Sequence, residues 1–287
     1  MASEVKPAEV TAHRDLRYTP APGVASELAT LDLTRPADDV KRPLVLLVHG
    51  GSWAGGDKAG FASRVTPWWV AQGYVAAAVN FRLATKRGQQ PVVTPKDQVQ
   101  DLAAALAWLD ANAATYGIDR ERTVVLGYSS GAHLVALLGT DERYLQAAGL
   151  KGDAVDGVIS LDVHAYDVPY ALTLMRGSVV ERNMPVIRHL FGDTPEEQLA
   201  ASPIRFVDGW AAPTLVVSVD ADPAKPGTHG YIVARAAERY VSALQDAGHR
   251  AEAVHDASET HATLVGGFGE PDDTVTSAIA AFLDELP

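Results

Sequence analysis

Short apolar runs separated by helical patterns organise most of the chain. Residues 44–48 are apolar at every position, which is typical of a strand buried on both faces of a parallel sheet. Residues 29–33 alternate apolar and polar side chains, which predicts a strand with one exposed face. Comparable runs predict further strands at residues 75–79, 123–126, 158–163 and 214–219 and, with a weaker pattern, 251–254.

Apolar residues at spacings of three and four predict amphipathic helices between these strands. One stripe covers residues 99–109, a second covers 233–244 with Gly248 as its stop, and a third covers 275–283. Strand–helix alternation of this kind predicts an α/β fold, with a mostly parallel sheet, helices on both faces and right-handed crossovers.

Residues 166–212 interrupt this alternation, because they contain several prolines and a patchy apolar content without a strand pattern. A long irregular insertion in a compact domain is usually a lid or a binding element. The alternative is a pair of surface helices that only extend the core. We therefore expect a single domain over residues 1–287, with a small lid insertion at about residues 166–212.

Composition and charge narrow the function classes. Lys+Arg total 24 and Asp+Glu total 36, so the net charge is 24 − 36 = −12, which argues against nucleic-acid binding. The absence of cysteine excludes disulfides, thiolate metal sites and a cysteine nucleophile. No stretch reaches the roughly 20 apolar residues that span a bilayer, and the N-terminal segment lacks an apolar leader core. The default expectation is a cytoplasmic protein without membrane contact.

One motif carries the strongest chemical signal. Residues 127–131 spell G-Y-S-S-G between an aliphatic strand pattern and a helix pattern. This is G-x-S-x-G in the strand–turn–helix context that exposes a nucleophilic serine. The strained turn requires small neighbours, so Gly127 and Gly131 are expected where a Cβ atom would collide. The glycine spacing selects Ser129 rather than Ser130 as the nucleophile.

A second glycine-rich loop follows the strand at residues 44–48. It reads His49-Gly50-Gly51-Ser52-Trp53. Fixed backbone N–H groups are the best stabilisers of the oxyanion that forms when a serine attacks a carbonyl. We expect an oxyanion hole made by the amides of Gly51, Ser52 and Ser130, and a structural role for His49.

A serine hydroxyl needs a base, and that base needs an orienting carboxylate. The expected chain order is serine, acid, histidine, with catalytic groups at the carboxyl ends of parallel strands. Asp220 and Asp222 follow the strand at residues 214–219, and we expect Asp222 as the acid with Asp220 as the runner-up. Of nine histidines, His261 alone lies in the loop between the last strand and the last helix, so it is the expected base.

These segments together resemble the α/β-hydrolase superfamily. The motifs HGGSW, NFRLA, GYSSGAH, SVDADP and SETHATL occur in the order seen there, and the resemblance extends from about residue 31 to 283. More narrowly, the chain resembles the esterase and feruloyl-esterase-like group close to kynurenine formamidase. The resemblance implies a central sheet of about eight mostly parallel strands and a triad of Ser129, Asp222 and His261.

The implied activity is hydrolysis of a small-molecule carboxylic ester with a short-chain or aromatic group. The rival hypotheses are an arylformamidase acting on N-formylkynurenine and a non-catalytic ligand-binding protein of the same fold. No cofactor or metal is expected, because histidine spacing and the absence of thiolates give no ligand motif. If the chain self-associates, a homodimer is the expected assembly. The expected pocket residues are Trp53, Trp68, Phe81, His164, Tyr166 and Met175.

Overall fold

An eight-stranded sheet forms the centre of the molecule. The computed structural model describes residues 9–18, 24–85, 88–89 and 92–286. The sequence prediction for the N-terminal segment therefore falls partly on residues outside this description, namely residues 1–8. The strand order is β1-β2-β4-β3-β5-β6-β7-β8. The first two pairings, β1–β2 and β2–β4, are antiparallel and the remainder are parallel. The strands are β1 Val10–Arg17, β2 Thr30–Pro36, β3 Arg42–Val48, β4 Val75–Val79, β5 Ile118–Tyr128, β6 Gly157–Leu161, β7 Thr214–Val219 and β8 Ala251–Asp256.

Helices cover both faces of the sheet, as the alternating pattern predicts. In β3, Leu46 and Val48 pack into the core on one face, whereas Val45 and Leu47 pack on the other. The α-helices are α1 Lys58–Ala71, α2 Pro95–Ala111, α3 Ala113–Tyr116, α4 Ser130–Leu138, α5 Arg143–Ala147, α6 Val168–Met175, α7 Met184–Phe191, α8 Pro195–Leu199, α9 His229–Asp246 and α10 Thr274–Asp284. Within the described ranges, none of these helices combines the length and apolarity needed to cross a membrane.

The structure corrects three strand predictions. The strand predicted at residues 29–33 has no exposed face, because Thr30 and Asp32 are also buried and Asp32 pairs with Arg14 and Lys58. The edge strand β1 was not predicted, because most of its side chains are polar and exposed and leave no apolar pattern. The strand predicted at residues 158–163 ends earlier, at Leu161, because Asp162 adopts a positive φ of 57° that terminates the extended backbone.

The insertion between β6 and β7 is helical and packs on the body of the domain. It contains α6, α7 and α8. Trp53 donates a hydrogen bond from Nε1 to Nδ1 of His133 at 3.2 Å, and both rings meet Phe191 of the insertion edge to face. The Nε2 atom of His133 contacts the carbonyl oxygen of Ala201 at 2.7 Å. His133 of α4 therefore connects the loop after β3 to the insertion.

The two partners of His133 require its neutral form. Because Nδ1 accepts from Trp53, the ring proton must lie on Nε2 and be donated to Ala201. Burial lowers the pKa of His133 to about 4. An unfolded histidine titrates near pH 6.5, so stability from this site is complete above about pH 6.5 and is lost as the pH falls toward 4.

We predict that the free energy of unfolding decreases by up to about 3 kcal/mol between pH 6.5 and 4 because of His133. Urea denaturation at several pH values checks this for the wild type and for His133→Gln, which has no titratable ring. The profile of the variant should be flatter by this amount, whereas the exposed control His189→Gln should follow the wild type. Parallel profiles for the wild type and His133→Gln would contradict the prediction.

Candidate active site

Ser129 lies in the sharp turn between β5 and α4. Its backbone has φ 57° and ψ −124°, a conformation that few residues other than glycine adopt. A Cβ atom at Gly127 would lie 2.2 Å from the carbonyl oxygen of Gly131, and one at Gly131 would lie 2.4 Å from that of Val48. Both glycines are therefore required by close backbone packing around the serine.

The structure brings together the serine and the histidine that sequence analysis selected. The Nε2 atom of His261 lies 3.0 Å from Oγ of Ser129. His261 is in the loop that follows β8, and Ser129 follows β5, so the two residues approach from separate strand ends. Nε2 is within the range for accepting a proton from the hydroxyl.

The carboxylate behind this histidine belongs to Asp162, not to the predicted Asp222. The Oδ2 atom of Asp162 lies 2.5 Å from Nδ1 of His261. The Oδ1 atom accepts a hydrogen bond of 3.1 Å from the backbone N–H of Val219, in the neighbouring strand β7. The Asp162 side chain is 0% exposed, so a buried carboxylate receives partners at both oxygens. Its position directly after β6 satisfies the rule of catalytic groups at strand ends.

Asp222 makes no hydrogen bond or ion pair with His261 in the described part of the chain, and its side chain is exposed. Its carbonyl oxygen accepts hydrogen bonds from the backbone N–H of Lys225 and from the hydroxyl of Thr228, so its backbone shapes the turn before α9. The runner-up, Asp220, contacts a different histidine, with Oδ2 lying 2.9 Å from Nδ1 of His229. Neither carboxylate after β7 orients His261 in this structure.

Tyr128 is a site residue that sequence analysis missed. Its ring stacks on the His261 ring with centroids 5.0 Å apart and an angle of 26° between planes. Its hydroxyl donates a hydrogen bond to the carbonyl oxygen of His261. Tyr128 occupies the variable position of G-x-S-x-G, so the motif itself gives no signal for it. The contacts indicate that Tyr128 positions the loop carrying the imidazole.

The loop after β3 lies directly against the serine. A Cβ atom at Gly50 would approach Cβ of Ser129 to 2.7 Å. Gly51 and Ser52 have positive φ values of 135° and 52°, which turn the backbone sharply at this point. The N–H of Ser130 is in the first turn of α4, where helix amides have no intrahelical acceptor and the helix dipole favours negative charge.

The structure places most of the predicted pocket residues in the core. Trp53, Phe81, Tyr166 and Met175 are at most 4% exposed, so their surfaces are used in packing. Phe81 stacks on His49, and Tyr166 stacks on Tyr240 while its hydroxyl contacts Ser160. Their aromatic and apolar character, which suggested a pocket, equally suits the core.

Trp68 is also displaced from the predicted pocket. It lies in α1 and meets Trp69 and Phe268 edge to face. These contacts belong to the core cluster on the face covered by α1 and α10. Trp68 is on the face of α1 that packs against this cluster. The sequence pattern does not predict a helix at these residues, so it gives no orientation for Trp68.

His164 is the one predicted pocket residue with an unpaired polar atom. Its Nε2 atom is buried and has no hydrogen-bond partner in the described part of the chain. Burial and, to a smaller extent, the nearby imidazoles of His229 and His261 together lower the pKa of His164 to about 4, whereas Asp162 opposes this shift. A neutral imidazole therefore lies within electrostatic range of the serine–histidine pair.

Three side chains at this edge of the sheet have the chemistry and spacing of metal ligands. The three residues are Asp162, His229 and His261. Each offers one ligand atom, and these three atoms lie within 4.8 Å of one another. The rings of His229 and His261 meet edge to face with centroids 5.7 Å apart.

We predict that an active-site fluorophosphonate probe labels Ser129 and that labelling depends on Asp162. Asp162→Asn should slow labelling on the order of 10⁴-fold, the loss expected when a triad histidine loses its orienting carboxylate. Asp222→Asn should label at nearly the wild-type rate. Mass spectrometry identifies the labelled peptide, Ser129→Ala provides the blank, and thermal melts verify folding. Slow labelling of Asp222→Asn with normal labelling of Asp162→Asn would contradict the assignment.

Comparison with known proteins places the chain in a family. The BD-FAE family model matches residues 31–235, more than half of the chain. Esterase LipQ of Mycobacterium tuberculosis is 27% identical over 215 residues, covering 72% of this chain and 47% of LipQ. Esterase LipC of the same organism is 32% identical over 190 residues, covering 64% of this chain and 44% of LipC. The chain thus spans about half the length of these curated relatives.

Solved structures share the fold at low sequence identity. Esterase B from Lactobacillus rhamnosis superposes with a TM-score of 0.74 at 18% identity, covering 97% of this chain and 86% of that chain. A truncated carbohydrate esterase from gut microbiota has a TM-score of 0.71 at 20% identity, covering 97% and 96%. The similarity to kynurenine formamidase stays a prediction. The chain has the α/β-hydrolase fold, and by the family match it belongs to the BD-FAE family.

Proposed function

We propose that the protein is a serine hydrolase that cleaves carboxylic esters through a triad of Ser129, His261 and Asp162. The observation that carries the proposal is the continuous array from the serine Oγ to the imidazole Nε2 at 3.0 Å and from Nδ1 to a buried carboxylate at 2.5 Å. This arrangement supplies a nucleophile, a general base and an orienting acid in the required order. The names of the relatives LipQ and LipC as esterases support the same reaction.

In the proposed mechanism, His261 first acts as a base. Its Nε2 atom removes the proton from Ser129 as Oγ attacks the ester carbonyl, which forms a tetrahedral intermediate. The same nitrogen then returns this proton to the leaving alcohol, and an acyl-enzyme forms. A water molecule, activated by His261, attacks the acyl-enzyme and releases the acid.

Asp162 has two effects in this cycle. Its Oδ2 accepts the Nδ1–H of His261, which keeps the lone pair on Nε2 directed at Ser129. When the imidazole becomes protonated, the buried negative charge stabilises the imidazolium. The hydrogen bond from Val219 to Oδ1 holds the carboxylate in place during both steps.

The amides of Gly51, Ser52 and Ser130 are the proposed oxyanion donors. Support comes from the tight packing of Gly50 on Ser129 and from the position of Ser130 at the start of α4. Backbone donors of this kind cost no reorganisation at the moment of reaction, and each contributes about 3–4 kcal/mol in comparable sites.

The proposed substrates are esters with short acyl chains. The large side chains expected to form a pocket are packed into the core, so they are not available to line a site for a long chain. The helical insertion at residues 166–212 is the proposed lid of a single domain, and its attachment through His133 to the loop after β3 places one edge of it near Trp53. A bound acyl group would therefore be confined by packed side chains.

We predict that the purified protein hydrolyses p-nitrophenyl acetate and butyrate at least about 10-fold faster, in kcat/KM, than the octanoate and palmitate esters, because an acyl site can reject what it has no space to bind. Ser129→Ala should lose nearly all turnover while melting at an unchanged temperature, and Ser130→Ala should keep most of it. Methyl ferulate in the same panel tests an aromatic acyl group.

N-formylkynurenine belongs in the panel because the same triad can cleave a formamide. Preference for the formamide over every ester would replace the ester proposal with the arylformamidase alternative. Absence of turnover on all substrates together with failure to label Ser129 would favour a protein that only binds a ligand.

A further inference from the structure

A second carboxylate–imidazole pair lies beside the proposed triad and has no role in its mechanism. Asp220 directly follows β7, and His229 is the first residue of α9. The Oδ2 atom of Asp220 lies 2.9 Å from Nδ1 of His229, and the two side chains are 29% and 26% exposed. The pair is thus partly shielded and is open to small solutes from solvent.

The pairing fixes which nitrogen of His229 is available. A carboxylate only accepts hydrogen bonds, so the neutral imidazole of His229 carries its proton on Nδ1 and has its lone pair on Nε2. Carboxylates hold metal-binding histidines in this way, by fixing the ring and raising its basicity. Asp220 therefore prepares His229 to act as a ligand through Nε2.

The other two groups of the cluster belong to the triad. Asp162, His229 and His261 each offer a ligand atom within 4.8 Å of the others. Two imidazole nitrogens and one carboxylate oxygen are a ligand set that suits Zn²⁺ and leaves one coordination position open. Asp162 follows β6, His229 begins α9 and His261 lies in the loop after β8, so all three ligands come from segments beyond the carboxyl ends of parallel strands.

We infer that this cluster is an inhibitory Zn²⁺ site, in which the ion is held by Asp162, His229 and His261 and occupies the space of the hydrogen bond between Asp162 and His261. Zinc ligands lie about 2.0–2.2 Å from the ion, which requires ligand atoms about 3.3 Å apart in a tetrahedral site. The 2.5 Å contact between Asp162 and His261 must therefore open, and the His261 side chain, 39% exposed, has room to shift.

The proton on His261 accounts for the inhibition. In the resting triad, neutral His261 carries its proton on Nδ1 and accepts from Ser129 at Nε2. When Nδ1 binds Zn²⁺, that proton exchanges through solvent to Nε2, with no net release. Nε2–H cannot accept the serine proton, so the base is blocked while the ion is bound. Chelation of the metal restores the original tautomer and the activity.

The binding half of the inference is tested without any turnover. Isothermal titration of Ser129→Ala with ZnCl₂ should give one site per chain. Adding His229→Gln should weaken the affinity at least about 10-fold, and adding Asp220→Asn should weaken it about 10–100-fold, the usual effect of losing a partner that orients a metal ligand. The exposed His189→Gln is the matched control and should leave the affinity unchanged. Equal affinities in all four proteins would overturn the site.

The inhibition half rests on the proposed esterase function and is measured separately. ZnCl₂ should inhibit hydrolysis by the otherwise wild-type protein, and EDTA should reverse it. The concentration for half inhibition should rise at least about 10-fold in His229→Gln and stay unchanged in His189→Gln. An equal response of these two variants would contradict the mechanism. Lack of esterase activity in a protein that still binds Zn²⁺ through His229 would reject the proposed function and leave the metal site standing.

Discussion

The burial of one carboxylate determines how this site is built. An ionised side chain at 0% exposure is costly unless hydrogen bonds and an opposite charge replace its water. Asp162 obtains hydrogen bonds from the backbone N–H of Val219 and from the Nδ1–H of His261, and it gains an opposite charge when that imidazole becomes protonated in the proposed reaction. These partners come from β7 and from the loop after β8, while the serine that the imidazole contacts follows β5. Four neighbouring parts of the sheet edge must therefore be in register before the array exists.

Residues next to the Ser129–His261–Asp162 array hold its loops in place through defined contacts. Tyr128 holds the His261 loop by a ring stack and a hydrogen bond, and it precedes Ser129 in the chain. The turn after β5 thus supplies both the proposed nucleophile, Ser129, and the aromatic ring that packs against the proposed base, His261. On the other side, Trp53 and His133 connect the loop after β3 to α4 and to the helical insertion. Movement of the insertion at this edge would disturb these buried hydrogen bonds.

The sequence predicted the parts of the site that depend on local backbone chemistry. The strand–turn–helix context and the paired glycines identified the serine turn, and the position in the loop between the last strand and the last helix selected His261. Asp162 was not predicted because the largely apolar residues 158–163 were assigned to one continuous strand, which placed this aspartate inside the strand. The backbone turns at Asp162 with φ 57°, a conformation that Asp adopts more often than most other residues. A lone acidic residue at the end of a buried apolar run was the available signal. The pocket prediction was wrong for a different reason. Trp, Phe and Tyr occur both in cores and in binding sites, so their presence in the sequence does not separate the two.

The most direct test is to detect, by NMR, the proton between Asp162 and His261. A short hydrogen bond to a charged carboxylate should give a strongly deshielded N–H resonance in the proton spectrum recorded in water, far downfield of the backbone amides. Labelling histidine with ¹⁵N assigns that resonance to a ring nitrogen. The account predicts that the signal is present in the wild type and in Asp222→Asn and absent in Asp162→Asn. Its persistence in Asp162→Asn, or its loss in Asp222→Asn alone, would contradict the central assignment.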